Sequence, residues 1–268
     1  MVISLSVLDL SLASILVLIL AGISWRMHFG IEKRLLIASL RTVIQLTLIG
    51  LVLKILFDNA TLLWITLMAT FMLLLAGREV MARQELRFAG WWGFGVGTLS
   101  MFLSSFVVTL LALVILIQPE PWFLPQYAIP LLGMVLGNTM SGIALGLDRL
   151  TTSARQQRQI IEARLMLGLP AAKAIEPIVQ DSIRVGLVPI INAMAAAGVI
   201  TLPGMMTGQI LAGIPPMEAV KYQILIMFLI ASGTGFGTLL AVWLGSRRLF
   251  DERERLRLDR LHGLSPHP

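Results

Sequence analysis

The chain has 268 residues, of which 57% are apolar and 13% charged, with a mean hydropathy of +0.86; an average soluble domain is about one quarter charged, so a water-soluble globule is excluded and a polytopic membrane protein is indicated. The net charge of +6 does not mark a nucleic-acid binder, because the bases sit between apolar runs instead of clustering on one polar surface. Cysteine is absent, which removes disulfides, thiolate metal sites, iron-sulfur clusters and cysteine nucleophiles together.

A bilayer's hydrocarbon core is about 30 Å thick and takes roughly 20 apolar helical residues to cross. Seven stretches qualify, near residues 5–25, 35–57, 60–77, 94–117, 128–147, 185–202 and 222–245, and lipid, which offers no partner to backbone groups, forces each into a helix. The first has no Lys or Arg ahead of its apolar core, so it is expected to stay as a membrane helix and not to be cleaved as a signal peptide. The second carries Arg41 roughly 9 Å past Leu35, with Gln45 four residues on and so on the same face. An intramembrane charge faces a cavity or a partner, or it snorkels back to the headgroups. The fifth carries Asn138, Thr139 and Ser141 and the sixth Asn192; these polar side chains line a path or hydrogen-bond between helices. Small-xxx-small pairs at Gly93 and Gly97, Gly133 and Gly137, Gly142 and Gly146, Gly204 and Gly208, and Gly233 and Gly237 let helices approach closely, within one subunit or across a dimer.

Two connections stand out. Residues 148–184 form the longest loop, in which QQRQIIEARLML reads as a short amphipathic helix stopped by Gly168 and Pro170, followed by a second short helix over AAKAIEPIVQDSI. The segment TLPGMMTGQILAGIPP places Pro203 and Gly204 at the end of the sixth helix, next to Met205 and Met206. An unwound turn there would expose carbonyls to a substrate, and the thioethers serve packing or a soft ion. Arg41, Gln45, Asn138, Asn192, Pro203, Gly204, Met205 and Met206 are therefore the candidate substrate path; the metal ligands, if any, are not defined.

Charge sets the orientation. All basic residues but Arg41, Lys54 and Lys221, 18 of the 21, follow the first, third, fifth or seventh stretch. By the positive-inside rule the N-terminus lies outside and the C-terminus in the cytoplasm. The expected fold is all-α: a transmembrane permease domain over residues 1–250 and a charged cytoplasmic tail over 251–268, solvated and partly helical.

No Gly-Lys pair exists, so the phosphate-gripping G-x-x-x-x-G-K loop is missing and any ATP hydrolysis belongs to a partner. The three histidines, His28, His262 and His267, lie outside the apolar stretches, so no buried base is available to a serine and no catalytic residue is assigned. A secondary transporter would want a carboxylate or histidine deep in the membrane. It remains the alternative class.

Three segments, IASLRTVIQLTLIGLVL, GLDRLTTSARQQRQIIEARLMLGLPAAKAIEPIVQDSIR and VPIINAMAAAGVITLPGMMTGQILAGIPP, together resemble the FetB-type permease family. This is the membrane subunit of a bacterial iron-export ABC transporter, related to plant aluminium-tolerance permeases. The resemblance covers about residues 5–250. Glu162 and Ala163 followed by Gly168 are also similar to the EAA-type loop of ABC permeases, with Arg164 in place of its second Ala. The resemblance implies a homodimer in the bacterial inner membrane, paired with a separate ATPase subunit that uses the ATP, exporting iron and easing oxidative stress. It also implies that Glu162, Ala163, Leu165, Leu167 and Gly168 couple to that ATPase, with Glu162 on the polar face and Leu165 and Leu167 as anchors.

Overall fold

The computed structural model describes residues 6–58 and 60–263. The first residue of the first expected stretch, the end of the tail and His267 lie outside the described residues. Among the described residues seven helices are long and apolar enough to cross a membrane, and they match the seven expected stretches. In chain order the elements are α1 (Val7–Arg26), α2 (Glu32–Asp58), α3 (Leu62–Ala82), β1 (Leu86–Phe88), α4 (Trp91–Met101), α5 (Val107–Leu111), α6 (Pro125–Gln156), α7 (Arg158–Met166), α8 (Ala171–Ala196), α9 (Gly204–Leu211), α10 (Pro216–Arg248) and β2 (Leu261–Gly263). The fourth span is composite. A π-helical turn, Phe102–Phe106, joins α4 to α5, and a second, Ala112–Ile117, closes the span.

At 1.5 Å per residue, the 32-residue α6 and 33-residue α10 run for about 50 Å and overshoot the roughly 30 Å hydrocarbon. The excess carries Arg149 and Arg155 on α6 and Arg247 and Arg248 on α10, so a basic end of the bundle stands clear of the apolar layer. Over their apolar windows, 56% of α6 is buried against none of α2: α6 is the axis of the bundle and α2 its margin. The axis depends on missing side chains. A Cβ on Gly142 would lie 2.7 Å from Thr234 and 3.0 Å from the Gly186 carbonyl, and one on Gly186 would lie 2.7 Å from the Gly142 carbonyl. Gly146, Gly233 and Gly237 meet Val242, Val135 and Thr139 equally closely. The pairs Gly142–Gly146 and Gly233–Gly237 are thus spent inside the subunit, as is Gly93–Gly97 against Phe88 and Val80, whereas Gly137, Gly204 and Gly208 face open space.

Two expectations are corrected. The second short helix over AAKAIEPIVQDSI is not separate: α8 runs unbroken through Pro177 and Pro189 to Ala196. Both prolines sit on its exposed face, where the carbonyls they leave unpaired need no protein donor. The tail is not merely solvated. Leu256, Leu258 and Leu261 pack on the core near Leu249 and Phe250, and β2 pairs antiparallel with β1 in the register Leu86↔Gly263, Arg87↔His262, Phe88↔Leu261. Leu258–Arg260 forms a 3₁₀ turn that leads into β2.

Charge fastens this strap. The Arg255 backbone N–H and its guanidinium hold the Asp251 carboxyl at about 2, and the side-chain bond from Arg257 holds Asp259 at about 2. Both lie below the ordinary 3.8, so their stabilisation is complete above that pH and lost as pH falls toward 2. The strap is therefore insensitive to pH near neutrality. Replacing half-buried Leu258 with Asp should cost about 1.5 kcal/mol, raising the open fraction and tryptic cleavage after Arg257 about tenfold; unchanged cleavage would contradict the packing.

Candidate functional site

At the basic end, α7 packs against α8. Ile161 is buried and Leu165 packs beside it on the core, and the Arg164 guanidinium donates to the Ala174 carbonyl at 3.0 Å. Gly168, with φ +85, ends α7. Its N–H bonds Leu165 O at 2.9 Å and the Leu169 N–H bonds Arg164 O at 3.2 Å, the pair of a Schellman cap, which glycine adopts without strain. Glu162 accepts from Arg158 at 2.7 Å, one turn away on the exposed face, and Ala163 is exposed. The expectation that Leu167 anchors the helix is corrected: Leu167 and Met166 are each 83% exposed, and the anchors are Ile161 and Leu165. The Gly168 cap turns the chain so sharply that the last α7 residues project as an apolar tip. The sequence signal for Met166 was there, since it sits two residues before Gly168 on a face away from Ile161.

Along the membrane layer, α6 presents exposed Asn138, Leu145 and Arg149, with half-buried Ser141 between them, at helical spacing. It is flanked by α3, through Met72 against Gly133 and an Arg83–Ser141 bond of 3.2 Å, and by α8, through Gly142 against Gly186 and an Arg149–Asp181 pair at 2.6 Å. Asn138 lies three turns before Arg149 on α6, and Asn192 three turns beyond Asp181 on the antiparallel α8. The two amides therefore lie at one level, roughly 16 Å deeper than the ion pair. Asn138 donates to the Met134 carbonyl at 2.8 Å, and Asn192 is exposed. Arg41 bonds Glu79 of α3, and Gln45 is exposed one turn along the same face of α2. Sequence reading missed Glu79, Asp181 and Arg83 as partners, because pairs 38, 32 and 58 residues apart have no local signature.

At the other end, α8 stops at Ala196, short of the expected 202, and a turn with Gly198 at φ +81 leads to α9. Pro203 caps α9, Gly204 opens it, Met206 is buried and Met205 packs on the neighbouring core. The Ala196 carbonyl accepts from Ile200 and Thr201, the Thr201 carbonyl from Gly198, and the Pro203 carbonyl from Thr207. These three carbonyls are engaged within the turn and are not offered to a substrate. The candidate residues thus do not converge on one site: one set forms the α7 tip, Asn138 and Asn192 are exposed on α6 and α8, Arg41 and Gln45 lie on the marginal α2, and Pro203, Gly204, Met205 and Met206 form the far turn.

Residues 7–250 match the family described as Uncharacterised protein family (UPF0014). The chain is 36% identical over 241 residues to the UPF0014 membrane protein slr1647 of Synechocystis, covering 88% of this chain and 90% of that protein. It is 32% identical over 262 residues to the Escherichia coli protein named "Probable iron export permease protein FetB", covering 94% and 95%. It is 28% identical over 232 residues to the Arabidopsis thaliana Protein ALUMINUM SENSITIVE 3, covering 87% and 83%. No solved structure matches. With that coverage and the seven membrane-length helices, the chain belongs to the UPF0014 family of membrane proteins.

Proposed function

We propose that the chain is the permease subunit of an ABC transporter, working as a homodimer with a separate ATPase in the bacterial inner membrane to export iron and relieve oxidative stress. The α7 tip is the observation that carries this reading. Met166 and Leu167, each 83% exposed, stand at the basic end on a helix anchored by Ile161 and Leu165. An apolar pair held rigidly outside the lipid layer is the form an interface anchor takes. The excess of Lys and Arg at the same end supports a cytoplasmic side for it by the positive-inside rule, the side where ATP is. The name of the Escherichia coli relative supports iron as cargo. Among the described residues no cluster of three or more His, Cys, Asp or Glu forms, so iron would cross hydrated, chelated, or in a site completed by the second subunit.

The faces of α6 and α8 that carry Asn138 and Asn192 border the path in this reading, and Arg41 with Glu79 ties the marginal α2 to α3. Purification in mild detergent from native membranes should bring an ATPase down with the chain; recovery of the chain alone under every mild condition would remove the reading. Arg41→Ala should slow export about two- to fivefold, the worth of a half-exposed ion pair, while membrane accumulation stays normal. The swap of Arg41→Glu with Glu79→Arg should restore it. Loss of the protein from the membrane in Arg41→Ala would make the pair structural.

A further inference from the structure

We infer that the groove between the start of α4 and the end of α10 holds one anionic phospholipid, with its phosphate on Arg248 and an acyl chain along the apolar wall below. This goes beyond the transport reading and does not rest on it. The groove measures about 460 Å³ and is walled by Trp91, Trp92, Gly95, Val96 and Leu99 of α4 and by Leu244 of α10. Trp92, Val96 and Leu99 follow one another at helical spacing and line it over about 10 Å, from the basic end into the apolar layer. Trp91 and Trp92, 87% and 51% exposed, open the fourth span at the level where indole rings gather in membrane proteins, with an apolar body and a wet edge.

Arg248 stands at the head of this groove, one turn past Leu244 on α10, and its guanidinium lies over the Trp92 ring, 4.6 Å from the centroid. That stack crosses from α10 to α4 and holds the side chain in place, leaving the edge of the guanidinium for an acceptor. Among the described residues no carboxylate pairs with Arg248 and no acceptor takes its N–H groups. Asp251 and Asp259 of the adjoining strap are already paired with Arg255 and Arg257. The Arg260 guanidinium, which donates to the Arg248 carbonyl at 2.9 Å and the Phe250 carbonyl at 3.1 Å, adds a second positive charge. At this level the surrounding anions are lipid headgroups: phosphate meets a guanidinium through two N–H bonds, and basic pockets between membrane helices take such headgroups. Arg247 provides the contrast. It stacks on Trp243 at 4.1 Å but faces a different cavity, whose wall carries Glu176, Asp251, Glu252 and Glu254, whereas no acid lines the groove under Arg248.

The test uses the full chain in a neutral detergent, titrated with dioleoyl phosphatidylglycerol and with dioleoyl phosphatidylcholine, which has the same chains and phosphate but no net charge. Native mass spectrometry counts the lipids bound. The first phosphatidylglycerol should bind about tenfold more tightly than the first phosphatidylcholine, the low end for a hydrogen bond to a charged group. Arg248→Gln should bring the two to the same affinity, and Arg247→Gln should leave the preference intact. A second variant, Gly95→Phe, fills the groove from its open side, where nothing lies within 4 Å of a Cβ, and should weaken the first phosphatidylglycerol about fivefold by displacing the acyl chain. An excess of inorganic phosphate should not release the lipid. Equal affinities in the unmodified chain, a preference that survives Arg248→Gln or is lost in Arg247→Gln, binding indifferent to Gly95→Phe, or displacement by free phosphate would each overturn the site. None of these readouts requires an ATPase or export, so they stand apart from the transport proposal.

Discussion

Gly186→Val should remove most of the folded protein from the membrane. A Cβ there would meet Thr238 Cγ2 at 2.6 Å and the Gly142 carbonyl oxygen at 2.7 Å. A side chain can rotate away, but the carbonyl belongs to α6 and retreats only if α6 and α8 part. Parting them opens the junction with α10, where Gly142 also meets Thr234 and Thr238. Overpacking of an ordinary core costs about 1–3 kcal/mol and sometimes more; here backbone opposes backbone, so the upper end or beyond is expected. The matched control is Gly137→Ala on the same α6, where nothing lies within 4 Å and the effect should stay within about 0.5 kcal/mol. Size-exclusion profiles of fluorescent fusions report both. A monodisperse, fully accumulated Gly186→Val would show that the three helices do not meet there.

Much of this junction was legible as spacing and none of it as contact. Paired glycines four residues apart announced close helix packing, but nothing local distinguishes Gly142–Gly146, which packs against α8 and α10, from Gly204–Gly208, which faces open space. The span count and the short helix before Gly168 were readable because apolar length and a Gly stop are local physics. The tail was misread because its Arg and Glu content outweighed Leu256, Leu258 and Leu261, which pack on a core far away in the chain, Leu261 beside Phe88 of β1. The π-helical turns of the fourth span left no sequence mark. Asn138, Asn192 and Arg41 stood out as polar groups in apolar runs, while Glu79 and Asp181, the partners of Arg41 and Arg149, did not.

The second large effect is expected at the end of α7. Gly168 has open space around its Cβ position, so a substitution there acts through φ +85 alone, a conformation that costs most L residues about 1–2 kcal/mol. Gly168→Val should loosen the Schellman cap and swing the Met166–Leu167 tip. Combined with Glu162→Lys, which turns the attraction to Arg158 into repulsion, it should weaken ATPase capture about tenfold or more. Gly168→Asn, which tolerates the left-handed region, should behave like the unmodified chain. Met166→Asp with Leu167→Asp removes the apolar tip outright, and loss of an interface anchor of about 2 kcal/mol corresponds to roughly thirtyfold weaker capture. No membrane span contains these residues, so seven-helix insertion should survive in all four. Pull-down of the ATPase and its stimulated turnover are the readouts, and unchanged capture in the tip variant would remove α7 as the coupling element.

In the proposed function, ATP hydrolysed by a partner drives iron through this chain. Iron accumulation in inverted membrane vesicles holding the chain and its co-purified ATPase measures it directly. Uptake should need ATP, survive an uncoupler of the proton gradient, and be lost in the Met166→Asp, Leu167→Asp variant while that chain stays inserted. Uptake that proceeds without the ATPase and collapses with the uncoupler would contradict it and make the protein a gradient-driven carrier.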